Sequence, residues 1–229
     1  MKKNIFWFLI LISLLGCNSN KSKPDDNINE TLYNYLTSTI LEREAFSPIK
    51  NEQLNINLKK EFAKHKTSFL QAKTDEDLYF EILKLSNLRR DSHLKMKPLF
   101  LESYKKKVLP IKIGVVFDAK KPIFVVEQIA NDYANEYPNL NVGDELIKIG
   151  NTNIEKVIAE TKKYIPSSTN NNHFLRLAKA LSTNDFNLSR VIDYNKPLFT
   201  FKTPKKSTYT YAFSYKKRDE VLFNNVEKY

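Results

Sequence analysis

The chain of 229 residues has one cysteine, three histidines, four glycines and one tryptophan. Each scarcity excludes something. A single cysteine cannot close a disulfide within the chain, so the fold must be held by its core alone. His65, His93 and His173 are scattered and no free cysteine accompanies them, so no metal site is expected. Four glycines leave no Gly-rich phosphate loop, and no cofactor is expected. No apolar run is long enough to cross a bilayer as a helix, because the longest, Ile5–Leu15, has eleven residues.

The charge of +11 also lacks what would make it informative. Residues 110–164 hold seven Lys against eight acidic side chains, so that stretch is nearly neutral. The excess lies in residues 51–107 and in the tail from Lys196, where eight basic residues face three acidic ones. No arginine cluster or aromatic platform goes with it, which argues against a nucleic-acid partner. Apolar content of 41% with 12% aromatics indicates a globular chain, large enough for one large or two small domains.

The N-terminus reads MKKNIFWFLILISLLGC. Lys2 and Lys3 precede an apolar stretch of signal-peptide length. Leu14-Leu15-Gly16-Cys17 resembles the lipobox of bacterial lipoproteins. The resemblance implies a signal peptide over 1–16 and acylation of Cys17. It also implies an envelope membrane as partner and a location outside the cytoplasm, inner or outer membrane unresolved. Residues 17–29, polar apart from Ile28, read as a lipidated cysteine and a tether.

From Glu30 the pattern turns helical. Leu32, Tyr35, Leu36, Thr39 and Ile40 predict one apolar stripe, and Ser47-Pro48 a break. A second helix is expected from about Glu52 through Leu54, Leu58, Phe62, Phe69 and Leu70. A third is expected after Thr74, with Asp77 completing an approximate capping box and Leu78, Ile82, Leu85 and Leu88 buried. Ser92–Leu99 alternates like a half-buried strand. Ile111–Phe117 and Pro122–Ile129 read as a hairpin, Glu145–Ile149 as a short strand, and Ile154–Tyr164 as a helix. Phe174, Leu177, Ala178 and Leu181 mark a further helix, and Pro197–Lys202 and Ser207–Tyr215 two last strands. The fold class is α+β: a helical domain over 30–107, then a small sheet domain with two helices over 108–216 and a tail over 217–229.

Asn141–Ile154 reads NVGDELIKIGNTNI. It resembles the G-D-x-I-L-x-I-N-G-x-x-I signature of bacterial PDZ domains, with Gly150-Asn151 in place of Asn-Gly. Together with Asp91-Ser92-His93 after the third helix, the order resembles the front half of the tail-specific, or carboxyl-terminal-processing, serine peptidases. That resemblance implies a PDZ-like domain that recognises peptide or protein C-termini by strand addition. The free edge is expected around Ile113–Phe117, with the peptide at Lys112, Ile113, Gly114 and Val115 and its carboxylate at the amides near Gly114. In branches of that family using Ser-His chemistry, the histidine matching His93 is the general base. The family's catalytic serine lies after the PDZ domain, and no nucleophile elbow is legible up to Tyr229. Ser167-Ser168 sits in a loop without glycine. This chain is therefore expected to have no catalytic residue of its own and to be inactive alone. His93 is then structural, bonded to a neighbour such as Asp91, or a latent base awaiting a serine. His65 and His173 are expected to be solvated. A standalone peptide-binding or structural lipoprotein is the alternative.

Overall fold

A computed structural model describes residues 26–43, 47–94, 106–119, 121–195 and 197–223. The leader, Cys17, residues 18–25 of the tether, residues 95–99 of the expected first strand, and residues 224–229 lie outside them. Four helices come first: α1 (Asp26–Arg43), α2 (Ser47–Leu54), α3 (Leu58–Leu70) and α4 (Asp75–Asn87). Pro48 does not end a helix. It occupies the first turn of α2, where its missing N–H leaves no bond unmade.

The single helix expected from Glu52 is two. Asn55 takes a left-handed conformation (φ 49°), and the Asn57 side chain accepts the Lys60 N–H at 3.0 Å to start α3 afresh. Thr74 caps α4 as its sequence implies: Oγ1 accepts the Asp77 N–H at 3.0 Å and donates to the Asp77 carboxylate at 2.8 Å. Asp75, Glu76 and Asp77 in that first turn also complement the helix dipole.

The bundle core is Tyr33, Ile40, Leu58, Phe62, Phe69 and Leu85. Tyr33 meets Phe69 edge-on with centroids 5.5 Å apart. Tyr35 is not in that core. It is 61% exposed, because the buried row of α1 runs Asn29, Tyr33, Thr37, Ile40, about one residue round from the expected stripe. Ser92 and His93 form a turn rather than the start of a strand.

The second half builds a six-stranded antiparallel sheet. Its strands are β1 (Ile111–Asp118), β2 (Lys121–Ile129), β3 (Glu145–Ile149), β4 (Thr152–Asn153), β5 (Leu198–Lys202) and β6 (Thr208–Ala212), with helices α5 (Ile154–Thr161) and α6 (Asn170–Leu181). The strand order is β1-β2-β3-β5-β6, with β4 paired to β3, so β1 and β6 are the edges. Gly143 (φ 94°) and Gly150 (φ 58°) stand at the turns on either side of β3, in conformations that L side chains rarely adopt. The buried Asp144 carboxylate accepts the Asn141 N–H at 2.8 Å and the Tyr209 hydroxyl. It thereby ties the first of these turns to β6.

Phe124, Val126, Leu146, Phe199, Phe201 and Phe213 meet Leu177 and Leu181 of α6 in the main core. Tyr209, Tyr211 and Phe213 share one face, as their alternation implies, with Tyr211 also edge-on to Tyr137 at 5.2 Å. A third cluster joins the halves. Phe80 of α4 lies edge-on to Tyr164 at 5.3 Å and stacks on Phe186 at 5.6 Å, while Tyr79 donates to the Asn187 side chain at 2.7 Å. Arg190 closes the seam, its guanidinium 4.9 Å from the Phe80 ring centre and 2.7 Å from the Asp77 carboxylate. The chain is thus α+β, a helical bundle followed by a small sheet domain with two helices.

Candidate peptide-binding edge

An edge strand carries a row of unpaired backbone groups, and β1, an edge of the sheet, lies along α6. Thr169 starts that helix by accepting the Asn172 N–H at 3.1 Å, and Phe174, Leu177, Ala178 and Leu181 turn inward at helical spacing. The two ends of β1 differ. At its N-terminal end the chain is zipped shut against the residues that follow α6. Leu109 N–H donates to Ser182 C=O at 2.9 Å, and Val108 bridges Thr183. Lys107 N–H donates to the Asn184 side chain at 2.6 Å, and Asn184 N–H returns to Lys107 C=O at 3.2 Å. Ile113 N–H donates to Ser182 Oγ at 2.8 Å, and that hydroxyl donates to Ala178 C=O at 3.0 Å.

The other end is open. Alternate residues of an antiparallel strand turn their backbone groups the same way, so Val115 and Phe117 face outward as Ile113 does. Pro122, opposite Phe117, has no N–H to offer the ladder, which agrees with that parity. Among the described residues nothing bonds the outward N–H of Val115 or Phe117. Phe117 is 44% exposed and its ring lies 6.2 Å from that of Phe174 on α6. The exposed Phe117 ring, seated on the buried Phe174, is the apolar surface beside the free backbone.

The four residues expected to hold a peptide are consecutive but have different surroundings. Lys112 points away from the edge, donating to the Gln128 side chain at 2.5 Å with its ammonium 4.4 Å over the Phe223 ring. Ile113 is buried and its amide is taken by Ser182. Gly114 lies in register with Val125, and a Cβ there would meet the Glu127 Cβ at 3.2 Å, so its missing side chain makes room across the ladder. Val115 alone presents a free outward amide. Phe117 belongs to the expected edge, whereas Ser182 and Phe174 do not; Ser182 lies 69 positions from Ile113, and no local pattern links them.

Asp91 accepts both the backbone N–H of His93 at 2.8 Å and its Nδ1 at 3.2 Å, while the imidazole is 93% exposed. Ser168 Oγ accepts the Ser92 N–H at 3.1 Å and donates to Ser92 Oγ at 3.0 Å, and Arg176 reaches Ser92 C=O at 3.4 Å. This turn is fastened to α6 and its preceding loop. No described serine hydroxyl is bonded to His93.

The expectation that His173 is solvated is overturned. It is 1% exposed, wedged where α6 meets α5. Thr161 Oγ1 gives its proton to Ile158 C=O at 3.1 Å, so at 3.3 Å it accepts from His173 Nε2–H. The histidine is therefore the neutral Nε2–H tautomer, and its buried Nδ1 has no partner among the described residues. Burial is the main cause that pushes its pKa down to about 4; the Ile158 carbonyl opposes this, and Lys162 and Arg90 add to it. His65 on α3 is half-buried, and burial lowers its pKa as well. Among the described residues no cluster of His, Cys, Asp or Glu suits a metal ion, and no helix is long and apolar enough to cross a membrane.

No protein-family model matches the chain, and no curated protein matches it. Solved structures do. Mature CPAF complexed with lactacystin superposes with a TM-score of 0.63 at 13% identity, over 83% of this chain and 35% of that one. Mature CPAF alone gives 0.62 at 12% identity over the same shares. The photosystem II D1 C-terminal processing protease aligns over 82% of this chain and 44% of that one at 13% identity, but its TM-score of 0.36 is too low to carry an argument. Over 83% of its length the chain thus shares the fold of the CPAF structures, and it spans about a third of theirs.

Proposed function

We propose that this chain is the peptide-recognition part of a membrane-anchored, protease-related protein. The β1 edge binds an extended segment of a substrate or partner by strand addition. One observation carries this reading: among the described residues the outward N–H groups of Val115 and Phe117 have no partner, and the exposed Phe117 ring, seated on Phe174 of α6, lies next to them. An added strand finds donors, acceptors and an apolar surface together there. The opening is short, so affinity is on the order of micromolar or weaker.

A proline substitution tests this directly. Proline is tolerated on an edge strand where its N–H would face solvent, so Val115→Pro removes the outward donor and leaves the β1–β2 ladder standing. Fluorescently labelled extended peptides should bind the wild type and lose at least tenfold in affinity for Val115→Pro. Equal binding by both proteins would remove the β1 edge as the site.

Anchoring rests on the Leu14–Cys17 pattern. A fatty-acid analogue should label the wild type and not Cys17→Ala; equal labelling would refute an acylated cysteine. For hydrolysis, His93 and Asp91 offer a base and the carboxylate that orients it, but acyl transfer also needs a serine within reach of the imidazole. In this reading such a serine comes from elsewhere, and the 229-residue chain does not cleave peptides by itself.

A further inference from the structure

A site that reads a free C-terminus needs backbone donors at the blind end of the groove, turned toward the carboxylate. In this chain most of the donors at that end are already taken. The N–H groups of Lys107, Leu109 and Ile113 are accepted by Asn184 Oδ1, Ser182 C=O and Ser182 Oγ, and Val108 N–H by Lys216 C=O at 2.9 Å. Pro110 has no N–H. The ammonium of Lys112 is held by Gln128 on the β2 side, and that of Lys106 lies 3.4 Å from the Asp185 carboxylate.

Ser182 is the centre of this closure. Its hydroxyl has one proton, which goes to Ala178 C=O, and it presents a lone pair to Ile113 N–H. An arriving carboxylate would meet an oxygen already seated on the donor it needs, and would lose hydration without recovering a bond. The open stretch from Val115 to Phe117 imposes no such end condition. A chain lying there pairs with two outward residues and need not end at either of them.

From this closure we infer that the β1 edge recognises an internal extended segment, not a free C-terminus. The inference rests on the strand-addition reading above and names its ligand class: about four or five residues of extended backbone with an apolar side chain against Phe117 and Phe174. Ser182 is the residue that excludes the carboxylate.

The test uses one peptide sequence alternating Val and Thr in three forms: ending in a free carboxylate, ending in an amide, and embedded between Gly-Ser flanks. Binding is read from amide shifts of Val115 and Phe117 in the full chain. All three forms should bind within about twofold of one another. In Ser182→Ala, which frees Ile113 N–H, the free-carboxylate form should gain several-fold over the amide. A wild-type preference of tenfold or more for the free carboxylate would overturn the inference and leave strand addition standing. A variant that keeps the wild-type ratio would overturn the role of Ser182. No shift with any form at millimolar concentration would overturn strand addition and the inference with it.

Discussion

Acid should weaken this fold through His173. The unfolded chain binds a proton there with the ordinary histidine value of 6.5, whereas the buried ring does so only at about 4. Between those values the unfolded state holds more protons, so stability is complete above pH 6.5 and is lost as pH falls toward 4. The full span, about 2.5 pH units at roughly 1.4 kcal/mol each, comes to about 3–4 kcal/mol. About 1 kcal/mol should be gone at pH 5.5 and roughly 2–3 kcal/mol at pH 4.5. The cause is local: a second proton would have to sit on Nδ1, buried and without a partner among the described residues. Carboxylates also titrate in this window, so the informative quantity is the difference between wild type and His173→Gln. Glutamine can still donate to Thr161 but carries no proton equilibrium. Urea unfolding at pH 7.0, 5.5 and 4.5 should show the wild-type advantage shrinking with acid. A constant difference, or an NMR titration of the His173 ring in the folded chain near 6.5, would refute the argument.

Phe69 is fully buried against Tyr33, so Phe69→Ala should cost about 3–5 kcal/mol, read as a lower urea midpoint with the same slope. Gly143→Ala should cost roughly 1–3 kcal/mol through backbone strain alone, because nothing lies within 4 Å of the added Cβ; a neutral result in thermal melts would contradict the assigned conformation. A fluorophosphonate probe should leave the purified chain unmodified, and a stoichiometric serine adduct found by mass spectrometry would reveal a nucleophile in these 229 residues.

Much of the architecture was legible because it is locally encoded. Thr74 with Asp77, the glycines flanking Glu145–Ile149, and the spacing of Phe174, Leu177 and Leu181 each write a local geometry directly. The misreadings have one source, which is that a stripe or a polar neighbourhood does not say what packs against it. Tyr33 rather than Tyr35 is buried because α3 meets α1 along the adjacent row of side chains. His173 follows three asparagines and looks solvated, but the helix turns it under α5. The Asn55 turn separates two helices that share one apolar period. The candidate site was legible only in part. The hairpin strand Ile111–Phe117 could be read, but the closure of its first half by Ser182 depends on a contact between distant segments.

The central claim is that β1 is closed at Ile113 and open from Val115 to Phe117, where an extended chain adds. Native-state amide hydrogen exchange with and without a bound peptide measures both halves at once. The Ile113 amide should be protected in the free protein and unchanged by peptide, whereas Val115 and Phe117 should exchange rapidly alone and slow at least tenfold when peptide is bound. Rapid exchange at Ile113, or Val115 and Phe117 amides that peptide leaves unchanged, would contradict it.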